Sequence, residues 1–213
     1  MWSKEKVFET AIISGFFCGF WSNIFLWILK KLSTILIMTK LNKFFYLESI
    51  QDNYFDYIKK NNASVILRNK RGEDGEKYSK IINNCKKLGI QIFISNDINL
   101  VRKFNLKNLY ISAYNKNFYH HENLNIIGSA HNHFEIYEKK KQKCRIIFVS
   151  RLFNTEGKKG SLGIVRFNLL TKNYNGIIAL GGINQKNIKK IKLLKCQGYA
   201  IKSELKNRPN YLI

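Results

Sequence analysis

The chain has 213 residues, 45% of them hydrophobic and 24% charged, so it is long enough to bury a sizeable core as one globular domain. The formal net charge of +23 comes from lysines scattered beside many Asn and Ile residues. Because A/T-rich codons encode all three residue types, codon bias accounts for this charge, and a nucleic-acid partner is not expected. The four cysteines form no C-x-x-C pair, which argues against a zinc site or a disulfide framework and fits a reducing cytoplasm.

Residues 1–42 differ in composition from the rest of the chain. No charged residue occurs between Thr10 and Leu29. The protein is expected in the cytoplasm, and a translation start at Met38 would account for the different composition of the segment before it. Alternatively, because about 20 apolar residues can cross a bilayer, residues 11–29 are a candidate membrane contact that would anchor the protein to the inner membrane. A domain is expected over residues 43–208.

Within that domain, short apolar runs alternate with segments of helical periodicity. The predicted strands are Phe44–Leu47, Ser64–Leu67, Ile90–Ile94, Leu109–Ile111, Asn125–Gly128, Ile146–Val149, Ile177–Leu180 and Gly198–Ile201. Helices are predicted in six places. One ends at Lys60, one spans Glu73–Leu88, one contains Leu100, one contains Phe134 and Tyr137, one lies near Ile164–Leu170, and one follows Gly182. Eight strands alternating with helices predict an α/β fold, a (β/α)8 TIM barrel.

Polar residues follow the strands where such barrels carry their active sites, at the carboxyl ends. These residues are Arg68 and Lys70, Asn96 and Asp97, Thr155 and Lys158, Gly181 and Gly182, and Ser203. The Gly-Gly pair, between a strand and a lysine-rich helical segment, predicts either a phosphate cradle or a plain turn.

The charged residues each allow two interpretations. Arg68 and Lys70 suit a phosphate, and alternatively they are solvated surface charges. Asp97 with Asn96 suits Mg²⁺, and alternatively the pair caps the next helix. The basic loop that begins at Thr155 could close over an anion. The four histidines lack Cys or acidic partners at known spacings, so they are not expected to bind a metal.

These motifs, in this order, resemble the thiamine-phosphate synthase family and its thiazole-tautomerase relatives of the TenI type. The resemblance covers about residues 44–206. The matching segments are Ile66–Lys70 for Q-x-R-x-K, Asn96–Asp97, Phe153–Lys158 for F-P-T-x-[ST]-K, Ala179–Ile183 for A-[IL]-G-G-I, and Gly198–Ser203 for G-V-A-V-I-S.

The resemblance implies a Mg²⁺-dependent transferase that joins a pyrimidinylmethyl diphosphate to a thiazole phosphate and releases pyrophosphate. By the same resemblance, the diphosphate would be held by Arg68, Lys70 and Lys158. The metal would be held by Asp97 and Asn115. The remaining substrate contacts would come from Asn96, Ser129, Thr155, Gly181, Gly182, Lys202 and Ser203.

Three departures from the family pattern keep a second interpretation open. Ile66 replaces the family Gln, and Asn115 replaces a second metal carboxylate. The segment after Gly128 is one residue shorter than the family G-x-S motif, and His131 lies near a histidine of the tautomerase branch. The alternative to a synthase is therefore a thiazole tautomerase or a binder of thiazole phosphate that catalyses no reaction.

Overall fold

The structure is a computed structural model, and it describes residues 41–47, 54–68, 75–119, 123–155 and 160–202. The apolar segment 11–29 and residues Lys70, Lys158 and Ser203 lie outside the described residues. In the part that is described, no helix has the length and apolar character needed to cross a bilayer.

Eight parallel strands form a closed barrel in chain order, which confirms the predicted (β/α)8 architecture. The strands are β1 (Asn42–Leu47), β2 (Ser64–Leu67), β3 (Ile92–Ser95), β4 (Asn108–Ile111), β5 (Asn125–Ala130), β6 (Ile146–Val149), β7 (Ile177–Leu180) and β8 (Gly198–Lys202). The barrel closes where β1 pairs with β8, with Phe44 opposite Ala200.

Five α-helices and one 3₁₀ helix lie between the strands in the described part of the chain. They are α1 (Tyr54–Lys60), α2 (Gly75–Leu88), α3 (Ile98–Lys103), α4 (His133–Lys141), α5 (Gly163–Thr171) and the 3₁₀ helix Ile188–Leu193. Helix α2 buries Tyr78, Ile82 and Cys85 on one face, as their spacing predicts, and it ends at Leu88, directly before Gly89, whose φ is +69°.

Three strand boundaries differ from the sequence prediction by two residues. Strand β1 starts at Asn42, two residues earlier than expected, β3 starts at Ile92, two residues later, and β5 continues to Ala130, two residues further. The longer β5 places Ser129 inside the strand, where it is buried. Apolar runs predict that a strand exists, but hydrogen bonding with its neighbours sets where it begins and ends.

The barrel interior is a packed core, because every second strand residue points inward. Phe44 and Phe148 meet edge to face with ring centroids 4.9 Å apart. The interior cluster consists of Phe44, Tyr46, Ile66, Phe93, Tyr110, Ile127, Phe148, Ile178 and Ala200. Because these side chains fill the interior, a small-molecule site is expected at the end of the barrel where the strands finish.

Candidate active site

A cavity of about 590 Å³ opens at the carboxyl ends of the strands. Its lining combines aromatic, apolar, amide, hydroxyl and cationic side chains. The lining residues are Tyr46, Arg68, Tyr110, Ser112, Ala113, Tyr114, Ser129, His131, Ser150, Arg151, Asn154, Thr155, Leu180, Gly181, Gly182, Ile183, Asn184 and Ala200. This mixture suits a small heteroaromatic molecule that carries an anionic group.

Two buried tyrosines from the interior cluster also line the cavity. The Tyr46 hydroxyl donates to the Tyr110 hydroxyl over 3.0 Å, and Ser129 is hydrogen-bonded to Tyr110. Burial raises the pKa of both phenols, that of Tyr46 well above its ordinary value of 10. At neutral pH both hydroxyls are therefore uncharged and can donate or accept a hydrogen bond.

The cavity favours an anion. Arg68 and Arg151 line it, and none of the lining residues that the structure describes is an Asp or a Glu. Arg68 follows β2 and Arg151 follows β6, four strands away in the eight-strand ring, so the two arginines come from opposite sides of the barrel. The Arg68 guanidinium also lies over the Tyr46 ring, 5.9 Å from the ring centroid.

Gly181 and Gly182 both line the cavity, and the structure gives each a packing reason for lacking a side chain. A Cβ on Gly181 would lie 2.9 Å from Cγ of Arg151, and a Cβ on Gly182 would lie 2.5 Å from the carbonyl oxygens of Phe153 and Asn154. Both have positive φ, +98° and +68°. The pair thus lets the β6–α5 loop lie directly against the end of β7.

The segment after Gly182 is not the helix that the sequence predicts. It turns over residues 185–187 before the 3₁₀ helix begins at Ile188. Two asparagine side chains accept hydrogen bonds from backbone N–H groups of this turn. Oδ1 of Asn187 accepts from Asn184 N over 2.9 Å, and Oδ1 of Asn184 accepts from Lys186 N over 3.0 Å. The expected helix N-terminus facing an anion is therefore absent from this position.

Asn96 joins two strand ends rather than lining the cavity. Its Oδ1 accepts from the backbone N–H of Ser112 over 2.9 Å and from Nδ2 of Asn115 over 3.0 Å. Its φ of +57° lies in the left-handed region that Asn tolerates. This side chain ties the end of β3 to the β4–β5 loop, so its direct effect is on the position of Asn115.

Asp97 and Asn115, the predicted metal ligands, each take part in local hydrogen bonding. Asp97 caps α3, where its Oδ1 accepts from Leu100 N over 2.9 Å. Oδ1 of Asn115 accepts from Asn117 N over 2.9 Å. The described residues contain no group of three His, Cys, Asp or Glu side chains that could hold a metal ion. A divalent ion here would therefore need further ligands from the substrate and from water.

A histidine and a glutamate form a pair at the end of β5. Nδ1 of His131, which lines the cavity, lies 2.8 Å from Oε2 of Glu135, and the same oxygen accepts from the backbone N–H of His131 over 2.7 Å. Asn132 caps α4 between them, accepting from Glu135 N over 2.9 Å. The carboxylate fixes the ring orientation and leaves Nε2 as the nitrogen for proton exchange.

The cavity thus gathers Arg68, Ser129, Thr155, Gly181 and Gly182 from the predicted site. Lys202 ends β8, and its side chain is not described. Lys70, Lys158 and Ser203 lie outside the described residues.

Sequence reasoning missed several lining residues. Tyr46 and Tyr110 could have been found from the alternation of inward and outward side chains along β1 and β4. Arg151 stands two residues beyond β6, and a polar residue after a strand end is the same signal that Arg68 gives after β2.

Comparison with known proteins places this site in a family context. The family model described as thiamine monophosphate synthase matches residues 48–205. Among solved structures, the chain is similar to a thiamine phosphate pyrophosphorylase from Pyrococcus furiosus, with a TM-score of 0.64 and 15% identity, covering 78% of this chain and 87% of that one. It is also similar to a thiamine phosphate pyrophosphorylase from Bacteroides thetaiotaomicron, with a TM-score of 0.52 and 19% identity, covering 78% and 84%.

A third similar structure is described as native KDPGal, with a TM-score of 0.55 and 13% identity, covering 78% of this chain and 85% of that one. None of the curated proteins matches the chain significantly. At these identities the likeness to solved structures is one of fold.

Proposed function

The chain belongs to the thiamine monophosphate synthase family, and from that premise we propose that it joins a pyrimidinylmethyl diphosphate to a thiazole phosphate with release of pyrophosphate. Family and fold together support a role in thiamine biosynthesis.

The observation that carries the proposal is the placement of two arginines on opposite sides of one cavity. Arg68 follows β2 and Arg151 follows β6, and no Asp or Glu is found among the lining residues that the structure describes. A reaction between two phosphorylated molecules needs positive charge at two places. A binder of one phosphorylated molecule would need it at only one.

The proposed roles of the described residues follow from their positions. Arg68 holds the diphosphate, where a fixed positive charge stabilises the negative charge that grows on the leaving group. Thr155, Gly181 and Gly182 border the thiazole phosphate. Tyr46 and Ser129 provide neutral hydroxyls for the heteroaromatic rings, and Asn96 positions the β4–β5 loop.

Four proposed contacts depend on the family resemblance alone. Lys70 and Lys158 would complete the diphosphate clamp beside Arg68. Lys202 and Ser203, at and just beyond the end of β8, would complete the site of the thiazole phosphate.

Mg²⁺ is part of the proposal as an ion brought by the diphosphate. Asp97 supplies one carboxylate and Asn115 only a neutral amide, and Mg²⁺ commonly uses one or two carboxylates together with substrate phosphates. Residues of this kind fit a weak site. When bound, the ion would supply charge stabilisation at the diphosphate, with Asp97 and Asn115 as its protein ligands.

One observation favours a second candidate function, the thiazole tautomerase. The His131 ring lines the cavity and is oriented by Glu135. Tautomerisation requires a proton to leave one atom and return to another, and an oriented imidazole with a free nitrogen suits this task. A tautomerase needs only the thiazole phosphate, whereas a synthase also needs the pyrimidine. An assay that omits the pyrimidine therefore distinguishes the two functions.

The deciding experiment incubates the full chain with both phosphorylated precursors and Mg²⁺ and measures thiamine phosphate. We expect product only when both precursors are present, and Arg68→Met to lower the rate about 10²–10³-fold. Arg145→Met, an exposed arginine before β6 at the other end of the barrel, is the matched control and should leave the rate unchanged. Conversion of the thiazole phosphate alone, without thiamine phosphate from the mixture, would select the tautomerase.

A Mg²⁺ titration tests the metal residues. Asp97→Asn keeps the α3 cap, because Asn caps as well as Asp, so it removes the charge with little effect on the helix. We expect Asp97→Asn to raise the Mg²⁺ concentration at half-maximal rate and Asn115→Asp to lower it, with thermal unfolding confirming that both variants fold. If Asn115→Asp leaves the midpoint unmoved and Asp97→Asn is harmless, these residues hold no metal.

A further inference from the structure

We propose that Arg151 binds the phosphate group of a phosphomonoester, at a subsite separate from that of Arg68. The identity of the ester as the thiazole phosphate rests on the proposed function, whereas the subsite itself rests on the geometry around β6 and β7. Neither the family motifs nor the comparisons assign a role to Arg151.

The aliphatic part of the Arg151 side chain packs against Gly181, where a larger residue would not fit. A Cβ on Gly181 would lie 2.9 Å from Cγ and 3.1 Å from Cα of Arg151. The loop is pinned there by backbone hydrogen bonds of 3.0 Å, from Leu152 N to Leu180 O and from Phe153 N to Gly181 O. The arginine is therefore anchored at its base, so the position of its head group is constrained.

One donor of the Arg151 guanidinium lacks a hydrogen-bond acceptor. Its Nη1 is buried and has no hydrogen-bond partner among the described residues. Oγ1 of Thr155 is in the same condition, and both residues line the same cavity. A buried donor without a partner is costly, more so when it is charged, so both atoms favour a ligand that supplies acceptors.

The Arg151 guanidinium and the Thr155 hydroxyl together suit a phosphate. A guanidinium presents paired N–H donors that match two oxygens of one phosphate, and a threonine hydroxyl can donate to a third. No carboxylate from the described lining residues competes for the guanidinium. Because Arg68 comes from the opposite side of the barrel, the Arg151 subsite takes the second anionic group of a substrate pair.

The experiment measures binding by calorimetry in EDTA, so that no metal contributes. The probes are inorganic phosphate, the thiazole phosphate and the corresponding dephosphorylated thiazole alcohol. We expect the parent protein to bind the ester more tightly than the alcohol. Arg151→Met, which keeps the apolar stem against Gly181, should bind the ester about 10- to 100-fold more weakly and the alcohol equally well.

Two further variants sharpen the result. Arg145→Met removes the same charge from the opposite end of β6, where the side chain is exposed, and should leave all affinities unchanged. Arg151→Lys keeps the charge but not the planar fork, so its affinity for the ester should fall between those of the parent and Arg151→Met.

A thermal unfolding series distinguishes a binding role from a structural one. Without phosphate, Arg151→Met should unfold at the same temperature as the parent or higher, because it removes a buried donor that lacks a partner. With phosphate, the parent should gain more stability than the variant, which keeps only the anion contacts around Arg68.

Equal affinity of Arg151→Met and the parent for the ester would overturn the proposal. So would a lower unfolding temperature without phosphate together with an unchanged phosphate-induced rise. If the chain forms no thiamine phosphate but its phosphate binding depends on Arg151, the proposed function fails and the subsite stands. If product forms and Arg151→Met leaves the KM for the thiazole phosphate unchanged, the subsite fails and the function stands.

Discussion

Gly182 illustrates how one residue can serve the site through packing. The sequence suggests that its missing side chain lets a phosphate approach the backbone. The structure shows that the space beside it is already taken by the carbonyl groups of Phe153 and Asn154. The glycine is needed first for the β6–α5 loop, which carries Arg151 and Thr155 into the cavity, and any effect on a ligand follows from that.

This reason can be tested with a pair of glycines that share a backbone conformation. Gly182 and Gly89 have φ of +68° and +69°, but a Cβ on Gly89 would meet nothing within 4 Å. Gly89→Ala should therefore destabilise the protein by about 1 kcal/mol from backbone strain alone. Gly182→Ala should cost clearly more, because the loop must also move, as measured by urea unfolding. Equal costs would mean that the loop yields freely and that packing does not explain the glycine.

At the residue level, the sequence predicts the place of a residue better than its use. Arg68, Thr155, Gly181 and Gly182 line the cavity, whereas their roles toward a ligand stay predictions. The sequence does not point to Arg151, because the ability of this residue to bind an anion depends on what surrounds its guanidinium. Only the packed loop shows that Nη1 is buried without a partner.

At the scale of elements, a buried lysine on α4 supports the loop that carries Asn115. Lys139 is 1% exposed, and its Nζ donates to Asn115 O over 2.7 Å and to Oε1 of Gln142 over 2.9 Å. Nε2 of Gln142 donates to the same carbonyl over 3.0 Å and to Asn117 O over 2.9 Å. Burial lowers the pKa of Lys139. The two side chains together hold the β4–β5 loop against α4.

A double-mutant cycle tests this arrangement. Gln142→Met should destabilise the protein by about 1–3 kcal/mol, because it removes two donations to backbone carbonyls and leaves a buried ammonium one acceptor short. Lys139→Met with Gln142→Met should cost less than the sum of the single changes, since the ammonium is then gone.

The readout of the cycle is the free energy of unfolding in urea. Lys140→Met, the exposed neighbour on the same helix, should change it by less than about 0.5 kcal/mol. Additive costs would contradict the idea that Lys139 and Gln142 act as a unit.

Sequence periodicity predicted these elements better than it predicted their ends. The alternation of apolar runs and helical segments is strong because each element must bury one side, and all eight strands were found. The turn after β7 was misread as a helix because lysines at helical spacing resemble an amphipathic pattern. In this turn the side-chain oxygens of Asn184 and Asn187 accept hydrogen bonds from each other's backbone N–H groups. Helix propensities of single residues do not include such hydrogen bonds.

For the whole molecule, the helices that cover the barrel bury two thiols. Cys85 on α2 and Cys144 before β6 are both buried. Burial raises the pKa of each thiol from about 9 to about 12. Below pH 9 the thiols are protonated in both the folded and the unfolded chain, and their full contribution to stability is present. As the pH rises from about 9 towards 12, the unfolded chain loses these protons while the folded chain keeps them, so stability falls.

The expected result is a free energy of unfolding that declines above pH 9, with each buried thiol contributing up to about 1.4 kcal/mol per pH unit. Urea unfolding under reducing conditions at pH 8, 9, 9.5 and about 10 measures this decline. Because the buried tyrosines Tyr46 and Tyr110 add to it near pH 10, the slope of each variant is compared with that of the parent. Cys85→Ala should be less stable than the parent at pH 8 but should lose stability more slowly above pH 9. Ile82→Val, which thins the same buried face of α2 without removing a titrating proton, should lower stability and keep the parent's slope. If Cys85→Ala follows the parent's slope, the thiol ionises equally in the folded and unfolded chain, and the cover that α2 gives the barrel admits water or hydroxide at this position.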